Sequence, residues 1–363
     1  MKKTTLFVFT LLVCFVSFGQ ERYQYKEPKQ LNDDLKTNSL LSHTTDTSKT
    51  YNLFSEFINK EHTTHSFLLV HKGELIFEEY FGEYSINSQH DFHAVTESIG
   101  SILTGIAIDK GFIDNVNDLV SKYIKNPFPK KKLDPRKGKI TIEHLLMMSS
   151  GLDCDDSNKK SKGRKERAYK EKDWLQYFFN LPMLNKPGTV SSRCSIGQVL
   201  AIEIISRASG MPINEFAEKY LFAPLRITNF SWRSPSKKEA FTSGKQLYMT
   251  SRDMAKIGLL VLHKGKWKEQ QIVSEKWIQE STTPKTNIIG LDYGYSWWNI
   301  SNTHNREEII IKMVLDLMSG ESISIYPELD LVIVHNNSNS YVDRTFTLSR
   351  FLDAFLSSLS KAE

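Results

Sequence analysis

The stretch SFLLVHKGELIFE, residues 66–78, reads as two short strands, 66–70 and 74–78, folded back on each other around His71-Lys72-Gly73. β-branched and aromatic residues on either side of a glycine-containing turn are the pattern of a hairpin, so an antiparallel sheet starts here. Downstream, Val95, Ile99, Ile102, Leu103 and Ile106 recur at helical spacing, and Gly111 follows Asp109-Lys110 as a stop. One buried helix ending near residue 110 is expected. Further helices are predicted at 141–148, 173–180, 196–209 and 213–220, punctuated by Pro182, Pro187, Pro212 and Pro224, which makes residues 112–250 a mostly helical region. After a helix to Leu262, strands at 309–314, 322–326 and 331–335 return the chain to sheet. A closing helix carries Leu348, Phe351, Leu352, Phe355, Leu356 and Leu359 on one stripe and would pack on that sheet. Strands at both ends enclosing a helical insertion make an α+β domain, placed at residues 49–360.

The 363 residues are 40% hydrophobic and 25% charged, which excludes disorder and coiled coil as the main state and allows a large core. At the start, Lys2 and Lys3 precede an apolar run from Leu6 to Val16, and Ser17 and Gly19 follow as small residues. This predicts a secretory signal peptide over residues 1–19, cleaved near Gly19, and a periplasmic or extracellular mature protein. A lipoprotein site at Cys14 is disfavoured, because Val13 stands where a small residue belongs. The apolar run is too short for a transmembrane helix, and no later stretch approaches the roughly 20 residues a span needs. Residues 20–48 are polar and read as a tether or an irregular cover.

Cleavage removes two lysines and no acids, so the formal charge falls from +5 to +3. It also leaves two cysteines, Cys154 and Cys194, which in an oxidising compartment either form one disulfide or remain as buried thiols. Positive charge concentrates in two runs, from Lys130 to Lys139 and from Lys159 to Lys172. They read as solvated loops, or as a contact to an anionic glycan or acidic protein. Nucleic acid is not an expected partner of an exported chain.

Several longer stretches resemble the serine β-lactamase and penicillin-binding-protein-like hydrolases, in particular the class C-like branch. They are TGIAIDKG at 104–111, ITIEHLLMMSSGL at 140–152, LFAPL at 221–225, YGYSWW at 293–298 and YPELDLVIV at 326–334. The resemblance runs from about residue 50 to 360 and implies the β-lactamase/transpeptidase-like fold, an antiparallel sheet flanked by helices. It also implies a Ser-x-x-Lys motif opening the core helix, in which the Lys one turn on takes the Ser proton and the helix N-terminus favours developing negative charge. Here that slot reads Ala94-Val95-Thr96-Glu97. The family's second motif, Tyr-x-Asn or Tyr-x-Ser, falls on Arg193-Cys194-Ser195, and the glycine of the third falls on Leu317, beside Asp316.

Alanine cannot attack a carbonyl, and removing a serine nucleophile typically costs on the order of a million-fold in rate. The Ser-Lys acyl-enzyme route is therefore expected to be lost, leaving a pseudoenzyme with a ligand cleft for a small molecule, peptide or glycan. The exchanges of Lys for Glu97 and Tyr for Arg193 place opposite charges where relatives have facing residues, so a carboxylate–guanidinium pair is expected. Other Ser-x-x-Lys matches, at Ser157, Ser234 and Ser358, open no buried helix. Ser98 and Ser101 read as structural, and an active hydrolase would have to use residues such as Ser195 with His93. His90 and His93 lack a third ligand at fixed spacing, so no metal and no cofactor are expected. Tyr293, Tyr295, Trp297 and Trp298 form an aromatic cluster that is either core or a cleft wall.

Overall fold

The computed structural model describes residues 25–44, 46, 48, 64–91, 93–124, 134–233, 246–304, 307–315, 321–337 and 355. Strand β1 (Lys36–Thr37) is followed by the hairpin β2 (Thr64–His71) and β3 (Glu74–Tyr80), in which Leu69 faces Phe77 and His71 faces Glu74. Lys72 and Gly73 both have positive φ, 52° and 75°, the turn whose twist matches that of a two-residue hairpin. The late strands are β9 (Thr286–Ile288), β10 (Leu291–Tyr293), β11 (Trp298–His304), β12 (Glu307–Leu315), β13 (Ser322–Tyr326) and β14 (Leu331–Asn337). They complete a nine-stranded sheet in the order β1-β3-β2-β14-β13-β12-β11-β10-β9. All pairings are antiparallel except that of β1 with β3. Two smaller sheets were not expected: β4 (Gln89–Asp91), β5 (Phe230–Arg233) and β6 (Gln246–Thr250) in the order β4-β6-β5, and the ribbon β7 (Lys266–Trp267) with β8 (Gln270–Gln271).

The helices used below are α1 (His93–Asp109), α2 (Ile142–Leu146), α3 (Trp174–Asn180), α4 (Ser195–Ser209), α5 (Ile213–Ala217), α6 (Ser251–Leu262) and α7 (Glu275–Thr282). The helix expected over 213–220 is instead α5 passing into a π turn, Glu218–Phe222. The closing helix lies outside the described residues apart from Phe355, which is buried with its ring 5.9 Å from that of His71.

Strand β14 is buried along its length and β2 nearly so, which is why 331–334 and 67–70 read as continuous apolar runs; β13 is equally buried although its serines alternate with isoleucines. Helix α6 lies across β2, β14 and β13. A Cβ on Gly258 would stand 2.5 Å from Val332 Cγ1, so the missing side chain lets α6 close on the sheet. Helix α1 is buried almost all round, and Gly105 makes room for the Trp277 ring of α7, whose indole N–H donates to Ser101 O at 3.0 Å.

The polar segment before the hairpin is not a free tether. Leu35 and Leu40 are 1% exposed, the Tyr25 hydroxyl donates to Ile76 O and accepts from Leu40 N, both at 2.8 Å, and Asp33 binds Arg252 at 2.9 Å. A few apolar anchors and buried ionic contacts dock it on the β3 edge, although its composition is that of a linker. The basic runs are likewise not uniformly solvated. Lys137 is buried and its Nζ donates to Phe179 O at 2.6 Å, satisfying a carbonyl near the end of α3.

Candidate functional site

Helix α1 starts at His93, so Ala94 lies in its first turn and Glu97 follows three residues on, one helical turn further along the same face. Glu97 is half-buried, whereas Val95 and Ser98 beside it are buried. The start of α4 supplies the second part of the site. Arg193 is 7% exposed, and Cys194 after it is bonded to Cys154 across a separation of 40 residues, with Cα atoms 5.3 Å apart.

Asp156, two residues beyond Cys154, fastens the same place. Its amide donates to Arg193 O at 2.7 Å, and its carboxylate accepts from Ser195 N at 2.9 Å and Lys165 N at 2.8 Å. The Cys194 side chain does not cap α4, so the aspartate from another loop accepts a bond from one of the helix's orphan amides. Beneath, Ser98 Oγ donates to Ser296 O, Ser296 Oγ bonds Gln198 Oε1 at 2.6 Å, and Gln198 Nε2 donates to Leu145 O and Leu146 O at 2.9 and 3.2 Å. This chain ties α1, the 293–298 turn, α4 and the end of α2 into one base. It makes Ser98 a structural residue rather than part of an open cleft.

Charges converge above that base. The Tyr293 phenol, 1% exposed, is pushed well above its ordinary value first by burial and then by the negative charge of Glu97, with Arg193 pulling the other way. Both charged groups therefore act on one ring. Tyr169 is raised by burial and then by the negative charges of Asp156, Glu97 and Asp91. Tyr248 donates to Asp91 Oδ2 at 2.7 Å, and burial with that bond pushes it up to about 12, while the Arg233 guanidinium lies 4.2 Å over its ring. His90 is held down to about 4 by burial and then by His65, so it is neutral near pH 7.

Of the residues singled out in the sequence, Glu97 on α1 and Arg193 before α4 both act on the Tyr293 phenol. The aromatic quartet is core: Tyr293, Tyr295, Trp297 and Trp298 are all buried, Tyr293 packs edge-on to Trp298 at 4.6 Å, and Tyr295 donates to Glu143. They form no exposed wall. The disulfide is made. Asp316 and Leu317 lie outside the described residues, and of His93 and Ala94 only the helical placement is described. No cluster of three or more His, Cys, Asp or Glu suited to a metal occurs among the described residues. Asp156, Tyr169, Asp91 and Tyr248 were missed; the acidic pair Asp155-Asp156 directly after Cys154 was the one local signal.

Comparisons with known proteins agree with this fold. The chain is 21% identical over 298 residues, 77% of its length and 74% of the relative's, to the 6-aminohexanoate-dimer hydrolase of Paenarthrobacter ureafaciens. A Bacillus anthracis protein named as a candidate 6-aminohexanoate-dimer hydrolase superposes with a TM-score of 0.67 at 19% identity, covering 93% of this chain and 89% of that one. A class C β-lactamase gives 0.64 at 14% identity, covering 87% and 97%. The Beta-lactamase family model matches residues 53–310, and the chain belongs to the β-lactamase family.

Proposed function

We propose that this chain is an exported β-lactamase-family protein that has lost the Ser-Lys acyl-enzyme route and keeps a ligand cleft. The observation that carries this reading is the first turn of α1, where Ala94 and Glu97 occupy the i and i+3 positions at which the family chemistry needs a serine and a lysine. Glu97 and Arg193 form the ion pair that takes the place of the lost lysine and tyrosine; their shared influence on Tyr293 supports it. A short linear amide is the first ligand to try, since a relative is named for an aminohexanoate dimer.

Intact-mass analysis after exposure to a fluorophosphonate and, separately, to a β-lactam tests the reading. The native protein stays unmodified, and Ala94→Ser with Glu97→Lys acquires the adduct. A labelled native protein would overturn it, and peptide mapping would then name the nucleophile, Ser195 being the first to check. Amino-terminal sequencing of the protein from its host, beginning near residue 20, tests export.

The exposure of Lys159, Lys160, Lys162, Arg167, Lys170 and Lys172 on the loop beside the site favours a second reading, a contact with an anionic macromolecule. Salt-sensitive retention on an anionic resin, lost on neutralising that loop, distinguishes it.

A further inference from the structure

A groove lies at the other end of the molecule. Strand β2 passes Ser66, bonded to Ser251 at the start of α6, and ends at His71 at the hairpin tip, and that tip meets the turns that follow α6 and precede β14. Between them is a cavity of about 490 Å³, within the range of small-ligand sites. Trp267 forms part of its lining, 6% exposed, and the buried indole N–H has no hydrogen-bond partner among the described residues.

The charges around this groove are unevenly matched. Asp34 is held by Lys268 at 2.8 Å and Arg226 at 3.0 Å, and Glu74 by Asn38 at 2.7 Å and His43 at 3.3 Å. Lys36, Lys72 and Lys266 also line it, all exposed and without an ion pair among the described residues, against Asp330 as the remaining acid. The backbone is unusual here too. Of nine non-glycine residues with positive φ among the described residues, Asp34, Lys72, Lys268 and Asp330 line the groove, and Arg226 and Lys264 border it. Side chains held in that sparsely populated region gather where the surrounding structure imposes them, and they cluster at functional sites.

We propose that this groove binds a small ligand carrying phosphate or sulfate ester groups. Three exposed lysines line one concavity and supply the counter-charge, and a mixed polar wall suits the rest of such a ligand. The site is separate from the α1 site and does not depend on the reading given for it.

Calorimetric titration of the full mature chain with a sugar bisphosphate and, separately, with a sulfated disaccharide tests this and separates the two ester types. At least one probe binds. Lys36→Gln with Lys72→Asn and Lys266→Gln weakens it at least tenfold, asparagine being chosen because it tolerates positive φ. Lys159→Gln with Lys160→Gln and Lys162→Gln changes it less than twofold. Ligand-induced quenching of tryptophan fluorescence disappears in Trp267→Phe. Failure of both probes to bind, or equal weakening by the two lysine sets, would overturn the proposal.

Discussion

Replacing Cys154 and Cys194 together by alanine removes a cross-link that spans 40 residues. In the chain-entropy treatment a closed loop of that length restricts the unfolded chain by about 13 cal/mol/K, which is about 4 kcal/mol at 25 °C. The folded state loses less, because the two ends are also joined without sulfur: Asp153 N donates to Pro182 O at 2.8 Å, Asp156 N to Arg193 O at 2.7 Å and Ser192 Oγ to Cys154 O at 2.8 Å. With an unfolding entropy of about 2.1 cal/mol/K per residue, a chain of 363 residues should lose about 5 °C in Tm. Scanning calorimetry and urea titration of the oxidised protein, the reduced protein and the double variant measure this. The reduced protein should match the variant, and both should have a larger m-value, because their unfolded chains expose more surface. A variant within about 1 kcal/mol of the oxidised protein would refute the argument, as would a protein indifferent to reductant.

Arg252 carries two bonds to Glu78, at 2.6 and 2.7 Å, and one each to Asp33 and Lys29 O, all from a nearly buried position. Arg252→Leu should cost about 3–5 kcal/mol by leaving buried carboxylates unpaired, and Glu78→Leu in the same chain should restore more than half; no restoration in a double-mutant cycle would deny the coupling. Gly105→Ala pushes a methyl into the Trp277 ring and should cost about 1–3 kcal/mol, partly relieved by Trp277→Leu, with denaturation midpoints as the measure. His71 and His90 are each held down to about 4 by burial, from 6.5. The unfolded chain therefore takes up these protons first, and stability is whole above pH 6.5 and falls as pH drops toward 4. At pH 5 the loss is of the order of 2 kcal/mol for His90 and smaller for His71, whose charge is better screened by solvent, and a stability that rises on acidification over that window would contradict the assignment.

The parts of the fold legible from sequence are those fixed by local periodicity. The 66–78 hairpin, α1, α4 and β14 combine strong apolar patterns with a clear turn or stop, and each lies within a few residues of its expected bounds. The β4-β6-β5 sheet escaped because its strands are three to five residues long and β4 pairs with residues about 160 positions on. For residues 25–44 the sequence left a tether and an irregular cover open, and the structure shows the cover, because two leucines and a tyrosine do the docking within a polar composition. In the site, the identities Ala94, Glu97 and Arg193 are legible from the family motifs, whereas the action of Asp156, Glu97 and Asp91 on the one Tyr169 ring depends on tertiary packing. Aromatic content alone could not tell a wall from a core at Tyr293–Trp298, since both uses need large flat side chains.

The pairing of β2 with β14 has a consequence for how the chain reaches this structure. Leu68 lies opposite Val334 and Leu69 opposite Ile333, contacts that close loops of more than 260 residues. Loop-closure entropy for such a span is about 5 kcal/mol before any contact repays it, so topology makes this a slow, late step in folding. Until β14 arrives, β2 and β13 are unpaired apolar edges facing each other across a missing strand. A chain that ends before Leu331 therefore does not yield a smaller stable domain; it yields two open templates for intermolecular strand addition, and aggregation is its expected fate.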